Sequence, residues 1–302
     1  MNNIIRIGTR DSQLALWQAH TVEKKLNDLG YKTEVIAVKS TGDIILDKPL
    51  YEFGITGIFT KTLDVSMIQG NIDIAVHSMK DVPTALPIGI VQAAVLERAS
   101  VLDILVHKGK LDFLHDTGII ATSSLRRKAQ WLHQYPTHQA VDLRGNVNTR
   151  LQKLADSDWS GAIFAAAGLE RIDLKPENYI DLDWMIPAPA QGAMMVVAME
   201  NNPYCREALA QLNHKETEIC THIEREFLKT LEGGCTAPIG AIATVEDNTI
   251  LLKAGLFSID GKEKIYIEKE TLISNYKDFG KNAALEVLKN GGDKIMQALR
   301  TV

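Results

Sequence analysis

Three kinds of side chain in this sequence could do chemistry together: a thiol on a glycine-rich loop, a carboxylate among cations, and arginines at the starts of helices. Cys235 stands in the run Leu231-Glu232-Gly233-Gly234-Cys235-Thr236-Ala237-Pro238-Ile239-Gly240. Glycine lacks the Cβ that blocks close approach, and proline stops a following helix, so this thiol is presented on a tight loop. Such a sulfur can serve as a nucleophile. The competing reading is a small buried apolar side chain, the usual fate of free cysteine.

Asp81 lies in His77-Ser78-Met79-Lys80-Asp81-Val82-Pro83. An ionised carboxylate in basic surroundings suits the holding of a substrate N–H or the stabilisation of a cationic intermediate. A helix cap or a counter-ion for Lys80 would account for the same position. His77 is either an acid–base group or a strand-end histidine satisfied by backbone. The cations stand in three further turns: Thr9-Arg10-Asp11-Ser12, Thr122-Ser123-Ser124-Leu125-Arg126-Arg127, and Leu143-Arg144-Gly145-Asn146 with Arg150 one turn on. Cations in a helix's first turn oppose its macrodipole by about 0.3–1 kcal/mol unless an anion sits there, which makes Arg126 and Arg127 the sharper pair. A solvated helix start is the plainer reading of both. Together these turns predict a cleft between two domains, lined with guanidinium groups suited to carboxylates or phosphates. No Gly-x-x-x-x-Gly-Lys-Ser/Thr or Gly-x-Gly-x-x-Gly motif occurs, which disfavours nucleotides.

The elements that must position these groups follow from periodicity. Ile4 to Gly8, Lys32 to Val38 and Ile72 to Val76 read as strands, with helices on the Leu14, Trp17, Val22, Leu26, Leu29 stripe and over Ile58 to Ile68. This is βαβαβ order and predicts a largely parallel sheet whose strand ends carry the ligand. The pattern restarts with strands at Leu102 to Val106, Ile119 to Thr122, Ala140 to Leu143 and Ala162 to Ala165, and helices at Leu125 to His133 and Val147 to Ala155. Met194 to Met199 reads as a strand returning to complete the first sheet. After about His214 a long helix leads to strands at Ile239 to Val245, Ile250 to Phe257 and Lys264 to Glu270, then a helical stretch from Tyr276 to Leu299.

With 302 residues, 45% hydrophobic and 24% charged, the chain divides into two or three domains. A net charge of -5 argues against a general nucleic-acid binder. The three cysteines, Cys205, Cys220 and Cys235, show no metal-ligand spacing, so no metal is expected and reduced thiols are. The start lacks the apolar stretch of a secretory signal and no run is long enough for a bilayer, which predicts a cytoplasmic protein.

Taken in order, Arg10 to Gln18, Asp73 to Pro83, Thr122 to Arg127, Leu143 to Arg150, Ala166 to Arg171, Pro187 to Ala193 and Leu231 to Gly240 resemble the porphobilinogen deaminase, or hydroxymethylbilane synthase, family. The resemblance implies an α/β fold of two domains like type II periplasmic binding proteins plus a small α+β C-terminal domain. The implied division is 1–96 with 193–212, then 99–189, then 214–302. It implies a monomer that condenses four porphobilinogen molecules head to tail through cationic azafulvenium species, releasing ammonia. A dipyrromethane cofactor would be joined to Cys235 by a thioether, with Lys80, Asp81, Ser124, Arg126, Arg127 and Arg144 around it. Asp81 would be catalytic, and Arg10, Ser12, Arg144, Arg150 and Arg171 would take the carboxylates of porphobilinogen and the polypyrrole intermediates. No nucleic-acid or membrane partner is implied.

The chain departs from the family pattern twice. Gly54-Ile55-Thr56-Gly57-Ile58-Phe59 lacks the usual lid lysine, and Pro189-Ala190-Gln191-Gly192-Ala193-Met194-Met195 is less glycine-rich than the usual hinge. Retained but altered turnover is the expectation. The rival reading is a non-catalytic binding protein for small anions built on the same architecture.

Overall fold

The computed structural model describes residues 4–38, 60–231 and 237–300, in two compact units. Unit one holds 4–38, 60–99 and 192–218; unit two holds 100–191, 219–231 and 237–300. The chain begins in unit one with β1 (Ile4–Thr9), α1 (Gln13–Asp28), β2 (Lys32–Ala37), α2 (Lys61–Ile68), β3 (Ile74–Ser78) and β4 (Ile90–Val95). Unit two then receives β5 (Asp103–His107), β6 (Ile119–Ala121), α3 (Leu125–Gln134), β7 (Gln139–Val141), α4 (Val147–Asp156), β8 (Gly161–Ala165), α5 (Ala166–Glu170) and β9 (Tyr179–Asp181). The chain returns to unit one as β10 (Met194–Met199) and α6 (Pro203–Ala210), and α7 (Lys215–Thr230) leads on to β11 (Ile239–Glu246), β12 (Thr249–Phe257), β13 (Lys264–Leu272), α8 (Phe279–Val287) and α9 (Asp293–Arg300).

Most predicted elements fall within two residues of these bounds, because apolar residues at a spacing of two or of three to four mark the faces that must leave water. In α1 the buried stripe is Gln18, Ala19, Val22 and Leu26, whereas the predicted core positions Trp17 and Leu29 are exposed. Sheet one has the order β2-β1-β3-β10-β4. β1 is parallel to β2 and β3, while β10 runs antiparallel between β3 and β4. The expectation that Met194 to Met199 completes the first sheet holds, but the sheet is mixed rather than largely parallel. Sheet two repeats the winding as β7-β6-β8-β5-β9, with β6 parallel to β7 and β8 and with β5 antiparallel to β8 and β9.

The small α+β layer of unit two is the antiparallel meander β11-β12-β13, packed on α7 and α8 through Ile223, Phe227, Ala241, Leu252, Leu256 and Ala284. Each large apolar side chain buried here contributes about 1.5–3 kcal/mol. The predicted final helix is broken: Asn290 and Gly291 leave helical geometry, with Gly291 at φ 104. The turn between β12 and β13 lies against α3, where a Cβ on Gly261 would meet the Ala129 carbonyl oxygen at 2.5 Å. His133 Nδ1 meets the Gly261 carbonyl at 2.7 Å.

The segment that leaves unit two is stitched down inside it. Ala241 N–H donates to the Pro187 carbonyl at 3.0 Å, and the fully buried Glu224 carboxylate accepts from Ala190 N at 2.6 Å and Ala243 N at 2.8 Å. Ala190 is held at φ 63, in the left-handed region that glycine normally occupies. The glycine-poor hinge sequence is thus accommodated by an alanine in a glycine-like conformation. No helix among the described residues is long and apolar enough to cross a membrane.

Candidate active site

In unit one, β1 and β3 are parallel, so the turns after them open at the same edge of the sheet. Ser12 caps α1, accepting from Ala15 N at 3.4 Å, with Arg10 half-buried just before it. β3 ends at Ser78, and a 3-10 turn over Met79–Asp81 follows. Met79 is buried and its N–H donates to the Ala193 carbonyl at 3.0 Å, which anchors the turn and leaves Lys80 and Asp81 half-buried at its rim. The buried Gln18 of α1 donates to Ser78 Oγ at 2.8 Å and so ties the two turns together. Among the described residues, the Asp81 carboxylate makes no hydrogen bond or ion pair; neither a cap nor a counter-ion role is seen for it. His77 is buried, and burial together with the nearby Arg10 lowers its pKa to about 4. It is neutral at pH 7.

In unit two, β6, β7 and β8 are parallel, and the turns that follow them carry the predicted cations at one sheet edge. Ser124 caps α3, accepting from Arg127 N at 3.4 Å. Arg126 and Arg127 are not a solvated helix start: they are 4% and 7% exposed. The anion that their position requires is Asp103, at the first residue of β5, opposite Ala165 at the end of β8. Arg126 Nη1 lies 2.6 Å from Asp103 Oδ2, and Arg127 Nε and Nη2 lie 2.9 and 2.8 Å from Oδ1. Arg126 Nη1 also donates to the Ile186 carbonyl and Arg127 Nη1 to that of Ile163. The buried Arg126 Nε has no hydrogen-bond partner.

Asn146 caps α4 after β7, accepting from Thr149 N at 2.9 Å. Arg150 Nε donates back to the Gly145 carbonyl at 2.7 Å; Gly145 takes φ 114, which a side chain would resist. Arg144 and Arg150 are both half-buried. Arg171 ends α5 after β8, and burial lowers its pKa to about 10, so it stays cationic at pH 7. The structure therefore groups Arg10, Ser12, Lys80 and Asp81 in unit one, and Ser124, Arg126, Arg127, Arg144, Arg150 and Arg171 in unit two. Cys235, Ile55 and Thr56 lie outside the described residues.

Sequence reasoning missed Asp103, Gln191 and Gln18. Asp103 had a readable signal, since it is a carboxylate opening the otherwise apolar run Leu102-Asp103-Ile104-Leu105-Val106, and a charge in a buried strand demands a partner. The two glutamines carried none, because a neutral amide in a helix or linker is as readily solvated as buried.

The pattern described as "Porphobilinogen deaminase, dipyromethane cofactor binding domain" matches residues 5–207, and that described as "Porphobilinogen deaminase, C-terminal domain" matches residues 218–289. The chain belongs to the porphobilinogen deaminase family. Within that family it is 43% identical to the porphobilinogen deaminase of Desulfitobacterium hafniense, over 98% of each chain, and 39% identical to that of Chloroherpeton thalassium, over 100% of this chain and 99% of that one. Among solved structures it is similar to the methionine-binding protein MetQ, at 14% identity and a TM-score of 0.43, covering 70% of this chain and 90% of that one. The cofactor-domain match contains both groups of candidate residues, while Cys235 falls in the C-terminal match.

Proposed function

We infer that the chain is a hydroxymethylbilane synthase that joins four porphobilinogen molecules head to tail. Membership of the porphobilinogen deaminase family supports the reaction, and one structural observation carries the assignment of roles: a half-buried Asp81 carboxylate that no described residue neutralises. In each coupling the aminomethyl C–N bond of the substrate breaks, the pyrrole nitrogen supplies electron density, and the amine departs as ammonia. The positive charge left on the pyrrole and its methylene faces the carboxylate of Asp81, which stabilises it because the charge is fixed in place before the reaction. An α-carbon of a neighbouring pyrrole then forms the C–C bond and loses its proton, and water discharges the finished chain.

The residues present fit the family's dipyrromethane group, whose pyrroles carry acetate and propionate. Ser124, Arg126, Arg127, Arg144 and Lys80 would hold those carboxylates. Arg126 Nε supplies a buried N–H that a carboxylate oxygen would satisfy. When bound, through a thioether to Cys235, the group supplies the first nucleophilic α-carbon. Arg10, Ser12, Arg144, Arg150 and Arg171 would take the carboxylates of incoming substrate and growing chain. Their number suits a ligand that gains two negative charges with every pyrrole.

Three functional domains at 1–96 with 193–212, 99–189 and 214–302, and action as a cytoplasmic monomer, belong to the same proposal. A binding protein for small anions would have no use for an unneutralised carboxylate beside its cations. Intact-protein mass tests the reading. Protein made in a porphobilinogen-producing host should carry the added mass of two pyrrole units, and the Cys235→Ser variant should lack it; an unmodified, inactive wild type would refute the proposal.

A further inference from the structure

Asp103 is fully buried, and its carboxylate serves two guanidiniums and an amide at once. Oδ2 takes Arg126 Nη1, while Oδ1 takes Arg127 and, at 3.1 Å, Gln191 Nε2. Gln191 Nε2 also donates to the Val101 carbonyl at 2.7 Å, and residue 191 is the last before the chain passes from unit two into unit one. Buried ion triads of this kind are weak contributors to stability, since apolar replacements are often as stable or more so. The triad keeps one buried N–H, Arg126 Nε, without a hydrogen-bond partner. One anionic oxygen at that N–H would complete the hydrogen bonding.

We propose that Asp103, braced by Gln191, is a positioning residue for carboxylate recognition: it grips Arg126 and Arg127 by defined nitrogens and thereby sets the direction in which the remaining N–H groups meet a ligand carboxylate. The inference rests on the reading of Arg126 and Arg127 as carboxylate-binding groups. Orientation is the asset here, because guanidinium recognition of carboxylates is geometric as well as electrostatic.

Asp103→Asn keeps the shape of the side chain and removes its charge. In the full-length protein, with folding followed by circular dichroism, the fraction carrying the two-pyrrole mass should fall, and KM for porphobilinogen in the remaining holoenzyme should rise about tenfold with a much smaller change in kcat. A purely structural role would lower the melting temperature and leave loading and KM unchanged; a folded variant with that result overturns the proposal. If Asp103→Asn does not fold, Gln191→Leu decides, since it removes the brace and leaves both ion pairs: KM should rise about threefold, and an unchanged KM overturns the proposal. Arg126→Leu separates this inference from its foundation. Should that variant fold with normal loading and KM, the carboxylate-binding reading fails; should it lose both while a folded Asp103→Asn does not, only the positioning role fails.

Discussion

The two sheets share one winding and differ in how each holds its carboxylate. In each, a serine caps the helix after the first parallel strand, Ser12 on α1 and Ser124 on α3. In each, an antiparallel strand starts opposite the last residue of the central strand. In unit one that starting residue is Met194, paired with Ser78, and in unit two it is Asp103, paired with Ala165. In unit one the neighbouring turn carries Asp81, which has no partner among the described residues, whereas in unit two the aspartate at the strand position itself binds Arg126 and Arg127. At that strand position unit two has a buried carboxylate paired with two arginines, and unit one has none. Topology supplies the rim; in unit two the residue opposite the central strand adds a buried carboxylate to it.

The comparison breaks most visibly in unit two. Arg127→Met removes the guanidinium that meets Asp103 Oδ1 and the Ile163 carbonyl while Arg126 stays on Oδ2, so stability should fall by about 1–3 kcal/mol in chemical denaturation; an unchanged stability would mean that those hydrogen bonds are not made. Asp81→Ala should do the reverse, leaving the unfolding midpoint where it is and cutting turnover about 10²–10³-fold. Normal activity in that variant removes Asp81 from the mechanism.

The buried imidazole of unit one sharpens the contrast by pH. The folded-state pKa of His77 is about 4 against an ordinary 6.5. Between those values the unfolded chain holds a proton that the folded one does not, so its contribution is full above pH 6.5 and is lost as pH falls towards 4. The loss amounts to about 3 kcal/mol. Denaturation curves should show His77→Gln with a shallower decline over that window, and parallel curves would contradict the burial argument. The smallest effect tests the symmetry itself. Ser12→Ala and Ser124→Ala should each cost about 0.5–1 kcal/mol, alike in both units, since the two caps are made at the same 3.4 Å. A large difference between them would show that one serine does more than cap.

Much of this was legible in the residues. Strand and helix positions follow from spacing, since an apolar stripe has a single way to leave water in each type of backbone. The return of Met194–Met199 to the first sheet was readable too, as an apolar strand preceded by a proline-rich linker. The antiparallel sense of that strand was not, because hydrophobic runs carry no direction. The break at Gly291 was hidden for a related reason: two consecutive glycines, Gly291 and Gly292, weaken a helix without saying whether it ends.

By itself the sequence determined which turns carry charge, which segments are buried, and the family to which the chain belongs, because these depend on residue types and on spacings of a few positions. Only the tertiary structure decided what neutralises what. Asp103 and Arg126 lie 23 residues apart, Gln18 and Ser78 lie 60 apart, and Ala190 and Glu224 lie 34 apart. A charge interacts with whatever the fold brings within a few ångströms, and that distance is set by the pairing of strands, which local spacing does not encode.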